Sequence, residues 1–381
     1  MVIHSNRYKL PQTARRTLHT KVTLSSETSE RTQPSPRYPR QRGRGDDNGC
    51  KQKLNCEPAT VAHFSPHAAQ NHIMGKLSFL VSLPTLDNDY QQQQAQEAEL
   101  VASHLNVDVR VIDSKNDSIT QSLELLRIIQ SKSDSRPDAI LVEPAGGTAF
   151  PQVAHAAISS GLGWVMLNRD ADYISELRKK TPAPVFCLGP DHEEIGRLQG
   201  KQLAALLPGG GSVLYIEGPA TSSSAKKRRA GTLETMPATI QLFRMSAHWT
   251  KESSRIAVGR WLKLSTSRES RIQVVAAQDD SMAMGARTAI EEELNEADRN
   301  RWLKIPFLGC DGVPETGQAW VRSGLLTATV ISPANTKLAI EMLVSWLRAG
   351  NVQPPYSLTK PTSYPPAETL MAVPKVKAQS G

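Results

Sequence analysis

The chain has 381 residues, of which 39% are hydrophobic and 22% are charged, and it contains four cysteines. At roughly 100 to 200 residues per domain, this length suits two domains, and the composition excludes a wholly disordered, collagen-like or coiled-coil chain. No stretch approaches the roughly 18 consecutive apolar residues that span a bilayer, so we expect a protein that is not embedded in a membrane. Four scattered cysteines are too few for a disulfide framework or a zinc site, and we predict no metal and no cofactor.

Most of the formal net charge of +8 lies in one segment. Residues 1–73 hold twelve Lys or Arg against five Asp or Glu, which leaves the remainder of the chain nearly neutral. The segment is rich in Ser, Thr, Pro and Gln without an apolar period, and this predicts a disordered basic tail. The segment lacks regularly spaced aromatic residues on which bases could stack, so we expect no nucleic-acid partner. It also lacks the order of charged, apolar and small residues that marks a signal peptide. We hypothesise that Met74 is the true start and that residues 1–73 are untranslated sequence.

From Lys76 onward, short β-branched and apolar runs alternate with longer segments of helical period. This alternation is typical of repeated βαβ units and parallel sheets. Ten strands are many for one sheet, so we predict an α/β protein with two Rossmann-like, doubly wound lobes. The predicted strands lie at 77–82, 108–112, 139–143, 163–167, 185–188, 212–217, 240–246, 272–276, 306–309 and 327–331, and helices are predicted at 91–105, 118–131, 150–160, 192–207, 251–264, 281–295 and 335–348.

In open parallel sheets, ligands bind beyond the carboxyl ends of the strands. The residues that follow the predicted strands are rich in Asp, Asn, Arg and aromatic side chains. Planar carboxylate, amide and guanidinium groups pair with vicinal hydroxyls, and aromatic faces pack on the C–H faces of a sugar ring. The pattern therefore predicts a neutral, polyhydroxylated ligand.

Several short motifs follow one another in a specific order and spacing. These are Asn88-Asp-Tyr, Leu167-Asn-Arg-Asp, Arg228-Arg-Ala-Gly, Ala277-Gln-Asp-Asp-Ser-Met-Ala-Met-Gly-Ala286 and Gly309-Cys-Asp-Gly312. Through these motifs, residues 76–373 resemble the ribose-type periplasmic sugar-binding proteins, whose fold also forms the effector domain of lac-repressor-type regulators.

This resemblance implies a type I periplasmic binding protein, in which a three-strand hinge joins the lobes and closes them on a ligand. We expect the N-terminal lobe at 76–182 plus 333–351 and the C-terminal lobe at 183–332 plus 352–373. The implied function is that of the substrate-binding protein of an ABC-type sugar importer, a monomer that hands a monosaccharide or polyol to a transporter permease. The implied location is the periplasm or cell envelope; no signal peptide is visible, so the cytoplasm is the alternative.

Carried over position by position, the resemblance implies eight ligand-binding residues. It also shows departures: Gln91 stands where a second stacking aromatic residue is common, and Asn168 replaces an Asp. The pocket is therefore expected to suit a sugar other than ribose. The eight residues are Asn88, Tyr90, Arg169, Arg228, Trp249, Asp279, Asp311 and Ser332.

Several of these side chains have other possible roles. Arg169 could be a surface residue or form an ion pair between the lobes, and Asp311 could cap a helix near Pro314. Either Asp279 or Asp280 is expected to cap the helix that follows, which leaves the other for the ligand. Trp249 could equally belong to the core of a lobe.

The basic run at 226–229 sweeps around a helix at about 100° per residue, so only one or two of its side chains can face the cleft.

Other functional classes receive less support. We find no nucleotide-binding glycine loop, nucleophile elbow or metalloprotease motif, so the sequence predicts no enzyme. Cys187 and Cys310 lie in apolar surroundings that suit buried, inert thiols. Residues 1–73 show no helix-turn-helix pattern, which disfavours a DNA-binding regulator. A ligand-sensing protein, or the effector domain of a regulator without its own DNA-binding domain, stays as the alternative.

Overall fold

A computed structural model describes residues 76–132, 136–146 and 149–372. All of them belong to one compact unit. The predicted basic tail and the hypothetical start at Met74 lie outside the described residues.

The described residues form strands and helices that alternate along most of the chain. The strands are β1 Ser78–Leu83, β2 Asp108–Asp113, β3 Ala139–Val142, β4 Gly163–Leu167, β5 Val185–Pro190, β6 Gly211–Glu217, β7 Ile240–Ser246, β8 Val274–Ala277, β9 Phe307–Leu308, β10 Thr329–Ile331, β11 Tyr356–Thr359 and β12 Thr362–Tyr364. The helices are α1 Asp89–Leu105, α2 Ser118–Ile129, α3 Pro151–Ser159, α4 Ile174–Arg178, α5 His192–Leu206, α6 Ser223–Thr235, α7 Lys251–Leu262, α8 Ser265–Glu269, α9 Asp280–Glu293, α10 Glu296–Trp302, α11 Gly317–Arg322 and α12 Thr336–Ala349, with a short 3₁₀ helix at Ala367–Thr369.

The strands form two sheets, one in each lobe. The first sheet is parallel throughout and has the order β11-β5-β4-β3-β1-β2. The second contains the parallel strands β7-β6-β8-β9. Bridges from Leu308 to Ala328 and from Asp311 to Ile331 extend it to β10, which pairs antiparallel with β12. The prediction of two doubly wound, parallel lobes is confirmed.

Both faces of the first sheet are buried, which explains its continuous apolar runs. In β1, Phe79 and Val81 pack with α1 and α12 on one face, whereas Leu80 packs with α2 and α3 on the other. The second sheet is covered in the same way: Leu214 and Val213, which are neighbours in β6, belong to separate cores. The helices thus hold each sheet rigidly and leave the strand ends free to carry polar side chains.

The chain crosses between the lobes later than the sequence predicts. β5 and β11 both pair in the first sheet, so two crossings lie between β5 and α5 and between β11 and β12, not at 182/183 and 351/352. The third crossing lies between β10 and α12. Exposed and half-buried residues alternate in β11, and such an edge strand gives a weak apolar signal.

Helix α6 is the one long helix missing from the predicted set. It is polar over most of its length, so tertiary contacts with α5 hold it rather than a broad apolar face. Ser222 caps its first turn by accepting a hydrogen bond from the backbone N–H of Ala225. The helix ends at Thr235, two residues before Pro237, which could not continue it.

Candidate functional site

A partly open cavity lies between the lobes, at the carboxyl ends of the strands of both sheets. Seven of the eight predicted residues line it: Asn88, Tyr90, Arg169, Arg228, Trp249, Asp279 and Asp311. Seven polar residues that the sequence reading did not select line it as well: Thr85, Gln91, Asn116, Glu143, Asn168, His192 and Ser224.

Ser332 is the predicted residue that does not line the cavity. It is 2% exposed, and its backbone N–H donates to the carbonyl oxygen of Asp311 at 2.9 Å. Ser332 therefore holds the loop that carries Asp311.

Asn88 joins the two lobes. It caps the N-terminus of α1, where its Oδ1 accepts from the backbone N–H of Gln91 at 3.2 Å. Its Nδ2 donates to the backbone oxygen of Trp249 at 2.8 Å and to Asp279 Oδ2 at 3.3 Å. The same amide thus fixes the start of a helix in one lobe and contacts the wall of the other.

Tyr90 presents its ring to the cavity while its hydroxyl bonds to the protein. The hydroxyl donates to the backbone oxygen of Pro333 at 3.1 Å and accepts from Asn335 Nδ2 at 3.2 Å. Burial, together with the nearby carboxylates of Glu143 and Asp311, raises the pKa of Tyr90 well above its usual value. The hydroxyl is neutral, and the ring forms an apolar wall.

Glu143 organises the polar side chains of the first lobe. It follows β3 directly, and its Oε2 accepts from Gln91 Nε2 at 2.9 Å and from Asn168 Nδ2 at 2.5 Å. The other side of Asn168 accepts a hydrogen bond, because its Oδ1 receives Asn335 Nδ2 at 2.7 Å. An amide donates through its nitrogen and accepts through its oxygen, whereas an ionised Asp carboxylate can only accept. The departure from Asp at position 168 is therefore explained by Glu143.

Arg169 extends from the end of β4 into the cavity, and its side chain is 11% exposed. Its Nη1 donates to Ser224 Oγ of the other lobe, and its Nη2 lies 3.7 Å from Glu143 Oε1. Among the described residues, its buried Nε has no hydrogen-bond partner. Arg169 is therefore a cavity residue and not a solvated surface residue.

Arg228 and His192 of the second lobe belong to one chain of hydrogen bonds. Arg228 Nε donates to His192 Nδ1 at 3.4 Å, so the imidazole carries its proton on Nε2, which donates to the backbone oxygen of Asn168 at 2.9 Å. Burial, with Arg228 nearby, lowers the pKa of His192 well below its usual value and keeps it neutral. Arg228 Nη1 donates to the backbone oxygen of Gln278, and its Nη2 lies 3.6 Å from Asp311 Oδ1.

Trp249 forms the wall opposite Tyr90. Its backbone has a φ of +61°, and its ring packs so closely on Gly218 that a Cβ there would lie 1.9 Å from Cζ2. The guanidinium carbons of Arg169 and Arg228 lie 5.9 and 5.6 Å from its ring. The ring also packs against the core of the second lobe, so the wall and core roles coincide.

Asp279 takes both roles that the sequence analysis had divided between two residues. Its Oδ1 caps α9 by accepting from the backbone N–H of Met282 at 2.6 Å, and the same residue lines the cavity. The expectation that the aspartate that does not cap the helix is left for the ligand is therefore wrong. Asp280 instead lies below the cavity and accepts from the backbone N–H of Gly312 and from Thr329 Oγ1, both at 2.7 Å. Burial raises the pKa of Asp279 to about 7 and that of Asp280 to about 8.

Asp311 sits on the loop that Asp280 holds. Its φ of +104° is unusual for a residue with a side chain and turns the carboxylate towards Arg228. The helix after this loop is capped at Thr316, so Asp311 is not its cap. Burial raises the pKa of Asp311 well above its usual value, although Arg228 opposes this.

The basic run at 226–229 divides as its helical spacing predicts. Arg228 alone of the four lines the cavity, and Lys226 is exposed. Lys227 Nζ lies 2.6 Å from Asp170 Oδ2 of the other lobe, and Arg229 pairs with Glu217.

Cys187 and Cys310 are both buried, and burial raises the pKa of the Cys187 thiol to about 12. Within the described ranges, no cluster of three or more His, Cys, Asp or Glu is arranged to hold a metal ion. No helix in the same ranges has the length and apolarity required to cross a membrane.

Comparisons with known proteins point in one direction. A family model described as "Periplasmic binding protein domain" matches residues 79–351. A D-ribose/D-allose-binding protein of Pseudomonas aeruginosa is 28% identical over 53% of this chain, and a xylitol-binding protein of Mycolicibacterium smegmatis is 27% identical over 63%. The matched stretches cover 58% and 63% of those relatives, less than two thirds of their lengths. In fold, the chain is similar to the Caulobacter myo-inositol binding protein bound to myo-inositol, with a TM-score of 0.62, 22% identity and coverage of 75% and 92% of the two chains.

Proposed function

Since the chain belongs to the periplasmic binding protein domain family and is of the ribose type, we propose that it binds a monosaccharide or similar polyol between its lobes. The observation that carries this proposal is the convergence of two arginines, three carboxylates and two aromatic rings on one interlobe cavity. These groups come from five or more separate strand ends, which only the folded pair of lobes brings together.

The charges of the site favour a neutral ligand. Arg169 lies beside Glu143, and Arg228 lies beside Asp311, so each cation already has a counter-ion. The raised pKa values of Asp279 and Asp311 further limit the negative charge. Ligand hydroxyls can accept from guanidinium groups and donate to carboxylates, whereas an ionic ligand would lack a free partner of opposite charge.

Direct contacts between the lobes support closure as part of binding. Besides the bond from Arg169 to Ser224, Ser281 Oγ donates to Asp89 Oδ2 at 2.9 Å and Lys227 pairs with Asp170 at 2.6 Å. These contacts flank the cavity, because each involves a chain neighbour of a residue that lines it. Separation of the lobes at these contacts is therefore expected to admit a sugar, and closure is expected to retain it.

We further propose that the protein serves an ABC-type sugar importer in the periplasm or cell envelope and hands its ligand to the permease. This rests on the family, whose model is described as periplasmic, and on relatives whose names state that they bind sugars or a polyol. In this role, binding with lobe closure is the whole activity and no bond is made or broken.

A thermal-shift screen of the full chain against pentoses, hexoses, polyols and inositols tests the binding function. A sugar at 100 times its dissociation constant is expected to stabilise the protein by about 2.7 kcal/mol. Arg169→Ala is expected to abolish this shift, whereas Arg229→Ala, which changes an arginine outside the cavity, is expected to keep it. A well-folded protein that responds to no member of the panel would contradict the proposal.

A further inference from the structure

Gln91 occupies the wall of the cavity next to Tyr90, and its carboxamide has one fixed orientation. The residue is 6% exposed, and its Nε2 donates to Glu143 Oε2 at 2.9 Å. Rotating the amide by 180° would place Oε1 against a carboxylate oxygen, which repels it. The nitrogen therefore stays on Glu143, and the oxygen is left as an acceptor.

That acceptor is buried and, among the described residues, has no hydrogen-bond partner. Leaving a buried acceptor unbonded costs about 1 to 3 kcal/mol, and most buried polar groups in folded proteins are paired. The nearby Arg169 also has a buried Nε without a partner among the described residues, while its Nη1 donates to Ser224 and its Nη2 lies 3.7 Å from Glu143 Oε1. An unpaired acceptor and an unpaired donor thus belong to two residues that line the same cavity.

We propose that Gln91 is a specificity-determining residue, whose Oε1 accepts a hydrogen bond from one hydroxyl of the ligand. The inference rests on the proposed function and adds to it a requirement on the ligand. An aromatic ring at position 91 would offer a flat face to carbon-bound hydrogens, whereas a carboxamide fixed in this way needs a hydroxyl group in front of it. A site built to bond a hydroxyl discriminates strongly against an analogue that lacks it.

The test is a titration-calorimetry scan with D-ribose, D-allose and xylitol and the monodeoxy analogues of each. For the parent that binds wild type most tightly, one monodeoxy analogue is expected to bind about 100-fold more weakly or worse. Gln91→Met keeps the length of the side chain and removes both the acceptor and the Nε2 donor to Glu143, whose Oε2 still accepts from Asn168. It is expected to weaken the parent about 10- to 100-fold while leaving the affinity for that analogue nearly unchanged.

Gln92→Met is the matched control, because Gln92 is the exposed neighbour in the same helix turn, and it is expected to change neither affinity. If Gln91→Met weakens the parent and all analogues equally, or leaves the parent unchanged, Gln91 does not read a hydroxyl and the inference is overturned. The wild-type scan needs no variant, so equal affinity for all the monodeoxy analogues also overturns it. If no parent binds wild type, this inference is overturned, whereas the proposed function fails only if the wider thermal-shift panel gives no response either.

Discussion

Replacing Asn168 by Asp tests the arrangement of the first-lobe wall. In the wild type, the amide nitrogen of Asn168 lies 2.5 Å from Glu143 Oε2. Asn168→Asp puts a carboxylate oxygen at that place, and two buried carboxylates at such a distance cannot both be ionised, so the folded protein must hold a proton between them. Keeping a carboxyl with an ordinary pKa near 4 protonated costs about 1.36 kcal/mol per pH unit. The expected destabilisation is therefore about 1.4 kcal/mol at pH 5 and about 5 kcal/mol at pH 8.

The sign follows from proton linkage. The shared proton is bound more tightly in the folded variant than in the unfolded chain, so its contribution is complete below about pH 4 and is lost as the pH rises. At roughly 2 °C per kcal/mol, the Tm difference from wild type should widen by about 7 °C between pH 5 and pH 8 in a calorimetric scan.

Two further variants complete this test. Asn106→Asp is the control, because Asn106 is exposed and its φ of +50° is close to the +56° of Asn168. This variant is expected to show no widening of the Tm difference. The double variant Glu143→Gln/Asn168→Asp reverses the donor and the acceptor and should recover most of the loss at pH 8. Equal destabilisation at both pH values, with no recovery in the double variant, would refute the reasoning.

Two other substitutions test the second lobe. Gly218→Ala should push the ring of Trp249 out of position, since the new Cβ would lie 1.9 Å from Cζ2. Sugar binding measured by calorimetry should then weaken about tenfold or more. Unchanged affinity would show that the ring does not contact the ligand. Asp280→Asn keeps an acceptor for Gly312 and a donor for Thr329 but removes a carboxyl whose pKa is raised to about 8. That carboxyl makes the wild type lose stability as the pH rises from about 4 to 8, so the Tm of the variant should rise relative to wild type over this range, and parallel Tm curves would contradict it.

The position of the cavity could be predicted from the sequence because it follows from topology alone. Apolar runs such as that of β1 mark strands, and ligands lie beyond their carboxyl ends. Which polar side chain at each end faces the cavity depends on contacts that the local sequence does not contain. Asp279 and Asp280 are adjacent, yet one lines the cavity and the other holds a loop 32 residues away.

His192 illustrates the same limit. From the sequence it is a first-turn residue of a helix, which is correct, but it reaches the cavity because the chain crosses between the lobes directly before α5. The crossing was misplaced because the apolar run of β5 marks a strand without showing which sheet it joins. The sequence places Glu143 at the end of a predicted strand, and only the three-dimensional contacts reveal its hydrogen bonds to Gln91 and Asn168.

The contacts between Asp170 and Lys227 and between Asp89 and Ser281 affect both the rate at which a sugar exchanges and the affinity with which it is bound. Because these contacts join protein atoms, they stabilise the closed arrangement whether or not a sugar is bound, and apparent affinity rises in proportion to the share of molecules in that arrangement. The same contacts must break before the lobes can separate. Capture is then limited by the rate at which the rim contacts break, and loosening them should speed both association and release, so that the resulting exchange rate changes more than the equilibrium constant.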